Sequence, residues 1–220
     1  MRRLSLEVFL LILFDLDGTL IDSNGVWLDV DIKFLARRGK PLTTEYTDFV
    51  SHSIFPTAAK FTKEYYNLPE SEIEIMSEWH ELAREAYQFH VPIKPGVIPY
   101  LEQCYQKGEK MVLFTASVPE LGNAAIRRLG IERYFSSVIF AQEIGLEKRN
   151  PAAFLRVAQF LNVTPSCCTM FDDAPHNCSA ARAAGMRVVG VYDRFYEDFQ
   201  EQVRRNSDCY INSFHDLLDA

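Results

Sequence analysis

Chemistry is first legible at Asp15 and Asp17, where the unbroken apolar run Val8-Phe9-Leu10-Leu11-Ile12-Leu13-Phe14 ends abruptly in Asp15-Leu16-Asp17-Gly18-Thr19-Leu20. A short run rich in branched side chains and stopped by a glycine turn reads as a parallel strand buried on both faces. Side chains alternate along a strand, so Asp15 and Asp17 are expected to leave the sheet on one side. Ligands of open parallel sheets bind just beyond the carboxyl ends of the strands, where this pair would stand. Like charges that close repel each other and raise one pKa unless a cation lies between them, so the arrangement asks for a metal. Asp-Gly is also a common turn dipeptide, and in isolation the motif reads equally well as a turn.

Its company downstream favours chemistry. Thr115-Ala116-Ser117-Val118-Pro119-Glu120 follows a second apolar run, Met111-Val112-Leu113-Phe114, so a hydroxyl at a strand tip meets a helix start with a Ser-x-x-Glu capping box. Backbone N–H groups at such a start suit a phosphate; taken alone, capping is the plainer reading of Thr115 and Ser117. In Gly145-Leu146-Glu147-Lys148-Arg149-Asn150-Pro151, Asn150 can cap and Pro151 can occupy the first turn. Lys148 is then a point charge for phosphoryl oxygens at the sheet's edge. Arg149 competes for that role, and a solvated loop lysine is the plain alternative.

Another buried run ends in Phe171-Asp172-Asp173-Ala174-Pro175, followed by His176 and Asn177. Helix capping accounts for one of these aspartates but not readily for both. One carboxylate here would complete an oxygen set with Asp15 and Asp17, and Mg2+ is the hard cation that takes few carboxylates, several waters and a substrate phosphate.

The elements that must position these residues follow from periodicity. From Asp22 to His90 the pattern is helical: Val26, Trp27, Val30, Phe34 and Leu35 recur at three- and four-residue steps up to Gly39-Lys40-Pro41. Further helices are expected over Thr44–His52, Pro56–Tyr66 and Ser71–Phe89, the last opening on a Ser71-x-x-Glu74 capping box. From Pro95 onward helices and strands alternate, the signature of a parallel sheet with crossover helices. Strands are expected at 111–115, 137–141, 168–173, 187–191 and 209–211, with helices at 96–105, 119–129, 151–161, 174–184 and 196–205 between and around them. The chain thus reads as an α/β core of residues 1–20 and 93–220 with a helical bundle, residues 21–92, inserted after the first strand.

Bulk properties bound the function. The chain has 220 residues, 48% hydrophobic and 24% charged, enough to bury a core in one large domain or two small ones. A net charge of -7 argues against nucleic acid, which needs a basic face. Five cysteines, at 104, 167, 168, 178 and 209, form no Cys-x-x-Cys pair, which suggests reduced thiols in the cytoplasm rather than disulfides or zinc. Arg2 and Arg3 before the first apolar run resemble a short signal peptide, but acidic residues follow it and no small-x-small cleavage site does. No stretch approaches a membrane span, and the expected state is a monomer or a weak homo-oligomer.

Taken jointly, these residues resemble the haloacid dehalogenase-like superfamily of phosphohydrolases over nearly the whole chain. Phe14-Asp15-Leu16-Asp17-Gly18-Thr19-Leu20 looks like its first motif, Leu113-Phe114-Thr115-Ala116-Ser117 its second, Lys148 with Pro151 its third, and Phe171-Asp172-Asp173 through Asn177 its fourth. The resemblance implies a Rossmann-like core with an α-helical cap of the C1 type. It also implies Mg2+-dependent hydrolysis of a small phosphorylated metabolite through an aspartyl-phosphate. Asp15 would be the nucleophile and Asp17 the acid and base. Mg2+ would be held by Asp15, the Asp17 carbonyl and Asp173, with Asp172 orienting a metal-bound water. Thr115, the Ala116 amide and Lys148 would hold the transferring oxygens. The chain departs from the commoner pattern at Glu147, at Arg149-Asn150 and at Ser117, and none of these removes a group the mechanism needs.

Competing readings use parts of the same set. A dehalogenase would have no use for Asp17 or Mg2+. A sugar phosphomutase of the β-phosphoglucomutase kind needs the same residues and differs in excluding water. A signalling receiver domain would carry its phosphoacceptor on a middle strand, with no inserted bundle. Within the bundle, Ser51-His52-Ser53 is where the family places a substrate-reading loop, with a helix-end histidine as the plain alternative for His52. Trp27 and Phe34 read as core rather than as substrate stackers, and Arg37 and Arg38 as a solvated helix end.

Overall fold

The apolar runs pair into one sheet. The computed structural model describes residues 11–50 and 55–218. Its strands are β1 (Leu11–Phe14), β2 (Met111–Thr115), β3 (Ser137–Phe140), β4 (Cys168–Asp172), β5 (Arg187–Val191) and β6 (Cys209–Ile211). They lie in the order β3-β2-β1-β4-β5-β6, and every neighbouring pair is parallel. This is a Rossmann-like α/β sheet, with β1 at the point where the strand order reverses and ligands of such sheets bind. Residues 8–10 of the first apolar run, and Arg2 and Arg3, lie outside the described residues.

Strand alternation divides the core between the two faces of the sheet. Leu11 and Leu13 join Val112, Phe114, Cys168, Met170 and Val188 in one buried cluster. Ala153, Phe154 and Val157, from the helix Pro151–Phe160, and Cys178 and Ala181, from the helix Pro175–Ala183, belong to the same cluster. Phe14, of the opposite parity, stacks on Phe171 with ring centroids 4.9 Å apart and meets the edge of Tyr100 at 6.3 Å. At the start of the helix Val97–Gln106, Gly96 has φ +81°, and a Cβ there would collide with the His215 backbone. Only glycine takes that conformation in that space.

The chain divides into two compact units, Met1–Ser23 with Pro92–Ala220, and Asn24–Val91. The second is helical: α1 (Val26–Ala36), α2 (Thr44–Val50), α3 (Phe55–Tyr66) and α4 (Glu72–Glu85), which runs on through a π turn, Ala86–His90. Ser71 caps α4 with the reciprocal Glu74 bond of a capping box. Phe34 and Trp79 pack edge to face at 5.6 Å, and both are buried. Trp27, by contrast, is 37% exposed and packs its ring on Phe55. Arg38 is no solvated helix end: it lies over the Phe34 ring at 3.7 Å and pairs with Glu70 and Glu78. The Ser51-His52-Ser53 loop lies outside the described residues.

The remaining helices of the α/β unit are α5 (Val97–Gln106), α6 (Pro119–Arg128), α7 (Pro151–Phe160), α8 (Pro175–Ala183) and α9 (Gln200–Arg205). Two expectations at their starts need correction. Ser117 forms no capping box: Pro119 takes the first turn of α6, which makes Val118 the cap residue, one position too late for the Ser117 hydroxyl. The expected 196–205 helix is split, a 3-10 segment at Arg194–Phe199 preceding α9 with a kink at Tyr196. The Gln200 side-chain amide donates to the Asp193 and Tyr196 carbonyls. Among the described residues, no helix is long and apolar enough to cross a membrane.

Candidate active site

Register alone brings the acids together. Phe14 pairs with Phe171, so Asp15 and Asp172 are the next residues at the tips of two adjacent strands. Phe14 also pairs with Leu113, which sets Thr115 two residues further along β2. By strand parity Asp15 continues the Leu11 and Leu13 row and Asp172 the Cys168 and Met170 row, so both acids sit above the α7 and α8 face. Asp173 follows directly, and ligand oxygens of Asp15, Asp172 and Asp173 lie within 4.8 Å of one another. All three residues are buried.

Lys148 reaches this triad from the loop ahead of α7. Its Nζ donates to Asp15 Oδ1 at 2.5 Å and to Asp172 Oδ2 at 2.8 Å, and it lies 5.3 Å from the centre of the Phe114 ring. The loop is pinned behind it by Asn150, whose side chain accepts from the Ala152 amide at the start of α7. Arg149 turns away: it is 70% exposed and pairs with Glu147. The contest between the two cations therefore falls to Lys148. Asp172 is also held from its own side, Oδ1 accepting from the Ala174 amide at 2.9 Å and from Asn177 Nδ2 at 3.2 Å. Asp173 Oδ1 accepts from the Thr19 hydroxyl at 2.8 Å.

Asp17 is not a member of this triad, though its charge acts on Asp15. β1 ends at Phe14, and Gly18 at φ +76° turns the chain so that the Leu20 and Ile21 amides both donate to the Leu16 carbonyl. Alternation therefore stops before Asp17. Its carboxylate accepts from the Ser23 hydroxyl at 2.6 Å. Thr115 is fully buried, and its oxygen accepts from the Ser117 amide at 2.9 Å, which folds the loop carrying Ala116 back over the tip of β2.

Charge in this cluster is out of balance. Burial, then Asp172, pushes the Asp173 carboxyl up to about 8, against the bond from Thr19. Asp15 is pushed upward too, by burial first, with Lys148 pulling the other way and Asp172 and Asp173 adding to the rise. Burial disfavours the Lys148 ammonium, but Asp15 and Asp172 outweigh it and hold the proton on. Three buried carboxylates stand within reach of one another and Lys148 bonds two of them, a clustering of like charge that a hard divalent cation with oxygen ligands would relieve. The donor set thus fits Mg2+.

A family model of haloacid dehalogenase-like hydrolases matches residues 9–185. The chain belongs to that family. Among relatives, it is 26% identical over 181 residues to a phosphorylated carbohydrates phosphatase of Thermotoga maritima, covering 82% of this chain and 84% of that one. It is 26% identical over 185 residues to the fructose-1-phosphate phosphatase YqaB of Escherichia coli, covering 82% and 95%. The fold is shared with a β-phosphoglucomutase of Clostridium difficile at TM-score 0.71 and 21% identity, over 96% of this chain and 93% of that one.

For this haloacid dehalogenase-like hydrolase, sequence reasoning gave no role to four residues that hold the site. Thr19 lies inside the first motif and Ser23 shortly after it, and their hydroxyls were a local signal. Lys94 and Asp193 carry no such signal: they pair with each other at 2.9 Å across 99 positions of sequence.

Proposed function

We propose that this hydrolase is a Mg2+-dependent phosphatase of small phosphomonoesters that works through an aspartyl-phosphate on Asp15. The observation that carries this reading is the buried Asp15, Asp172 and Asp173 triad with Lys148 bonded to two of its members. Asp15, Asp173 and the backbone carbonyl of Asp17 would hold Mg2+, with Asp172 orienting a metal-bound water. When bound, that ion supplies positive charge against the phosphate and shields the attacking carboxylate from it.

In the first step an Asp15 oxygen attacks phosphorus and the bond to the leaving oxygen breaks, while Asp17 gives that oxygen its proton. In the second, water attacks the phosphorus of the aspartyl-phosphate and loses a proton to Asp17, and the bond to Asp15 breaks. One difficult displacement becomes two easier ones, with Asp17 returned to its starting form. The Ser23 bond to Asp17 Oδ1 supports this role, since it restrains the carboxyl's rotation. Lys148, the Thr115 hydroxyl and the Ala116 amide would hold the transferring oxygens, donors of a kind each worth about 3 kcal/mol in the transition state. The helical unit, as the cap over residues 21–92, would select the substrate. The relatives named for sugar phosphates support phosphorylated carbohydrates as the class to test first, and the free thiols of all five cysteines support a cytoplasmic setting.

The test is release of inorganic phosphate from a panel of sugar phosphates, nucleotides and small phosphomonoesters, with Mg2+ and with chelator. Metal-dependent release with a preference within the panel is expected. A folded, Mg2+-loaded protein that releases none overturns the phosphatase reading, and isomerisation of a sugar phosphate in the same samples would replace it with a mutase.

A further inference from the structure

Lys94 lies in none of the motifs, yet its ammonium joins three segments of the α/β unit. Its Nζ donates to the Gly18 carbonyl at 2.5 Å, to the Tyr192 carbonyl at 2.6 Å and to Asp193 Oδ2 at 2.9 Å. An ammonium has three donors and no acceptor, so this set saturates it. The pair is shielded from water, with the Lys94 side chain 14% exposed and the Asp193 side chain 4%. Asp193 is braced in turn, Oδ1 accepting from the Phe195 amide at 2.9 Å and its carbonyl from Gln200 Nε2 at 3.0 Å. The turn after β1, the approach to α5 and the exit of β5 therefore meet at one nitrogen.

That junction adjoins the metal-binding carboxylates. Gly18 has no side chain with which to fix its turn; its amide donates to the Ile21 carbonyl at 2.8 Å, and its carbonyl is held by Lys94. The next residue, Thr19, donates to Asp173 Oδ1 at 2.8 Å. A shift of the Gly18 peptide thus moves the Thr19 hydroxyl and rotates the Asp173 carboxylate.

We propose that Lys94, braced by Asp193, is a positioning residue for the metal site: it holds the Gly18–Thr19 turn and, through the Thr19–Asp173 bond, sets the orientation in which Asp173 meets Mg2+. This rests on the reading of Asp173 as a Mg2+ ligand. Groups that orient a metal ligand are typically worth about 10- to 100-fold in metal affinity or activity. Charge alone predicts the opposite sign, because removing a nearby cation strengthens the attraction of an acidic set for a divalent ion.

Calorimetric titration of Mg2+ into the full chain separates the two. Lys94→Met, verified as folded by circular dichroism, is expected to raise the Mg2+ Kd about 10-fold. Thr19→Val is expected to do the same, and the double variant to be little worse than either, as for two members of one chain of contacts. Unchanged or tighter binding in Lys94→Met overturns the proposal, and so do fully additive losses. Should Lys94→Met fail to fold, Lys94→Arg decides: it keeps the charge but replaces three convergent donors by a planar fork. Weaker binding supports positioning, and wild-type binding overturns it. A wild type that binds Mg2+ but releases no phosphate refutes the phosphatase reading and leaves this comparison intact, whereas a wild type that takes no Mg2+ overturns the positioning role.

Discussion

The two units bury acid for different ends, as Asp173 and Asp31 illustrate. Both carboxyls are pushed upward with burial as the leading cause, Asp173 to about 8 and Asp31 to about 6. Asp173 sits among Asp15, Asp172 and Lys148, at the tips of adjacent parallel strands. Asp31, on α1, meets a neutral phenol: the Tyr46 hydroxyl donates to it at 2.8 Å, with Thr62 Oγ1 3.2 Å from the same hydroxyl. Clustered charge of one sign invites a cation and a reaction, whereas a lone carboxyl beside a hydroxyl answers its burial by holding its proton up to about pH 6. A raised pKa therefore marks chemistry only where its neighbours are charged.

The largest expected effect lies on the charged side of this contrast. Asp15→Asn should lower turnover by about 10⁴-fold or more, the scale of losing a nucleophile. It also relieves repulsion in the triad, so its melting temperature should equal or exceed that of the wild type. Turnover within tenfold of wild type would remove Asp15 from the nucleophile's place, and a large drop in melting temperature would make the triad a structural device like Asp31.

Asp31→Asn should act on stability instead, with a sign set by pH. The folded pKa of about 6 exceeds the ordinary 3.8. Between those values the folded protein keeps a proton that the unfolded chain has lost. Asp31 therefore contributes most below about pH 4; its contribution falls as pH rises to about 6 and stays lost above that. Two pKa units correspond to about 3 kcal/mol at most. Asparagine keeps the acceptor for Tyr46 without the charge, so it should stabilise the helical unit by up to about 3 kcal/mol at pH 8 and by far less at pH 4. Trp27 and Trp79, the two tryptophans of the chain, both lie in that unit. Urea unfolding followed by their fluorescence at the two pH values reads it directly. Equal gains at both would mean that folding leaves the proton affinity of Asp31 unchanged.

The smallest effect belongs to charge at the surface of the same unit. Arg37 pairs with Glu78 at 2.8 Å, but its side chain is 57% exposed. Arg37→Ala should change stability by less than about 1 kcal/mol, and less again in high salt. A loss comparable to that of a buried pair would place Arg37 in the network that Arg38 forms with Glu70 and Glu78.

Much of this was legible along the chain because it is local. Strands announced themselves as apolar runs, and Met111–Thr115, Arg187–Val191 and Cys209–Ile211 fall where those runs predict. Ser71 with Glu74, and Asn150 ahead of Pro151, act as caps over three residues or fewer. Asp15, Asp172 and Asp173 could be picked out because each stands at the exit of such a run, and Lys148 because it precedes the helix start at Asn150 and Pro151. Local rules also misled: Ser117 had the spacing of a capping box, but the proline two residues on moved the cap. Tertiary structure alone decided which oxygen meets which cation. That Lys148 rather than Arg149 enters the site, that Thr19 reaches Asp173, and that Lys94 crosses to Gly18, Tyr192 and Asp193 are outcomes of strand order and register. They join residues as far as 154 positions apart, as Thr19 and Asp173 are, and no periodicity along the chain encodes a bond of that reach.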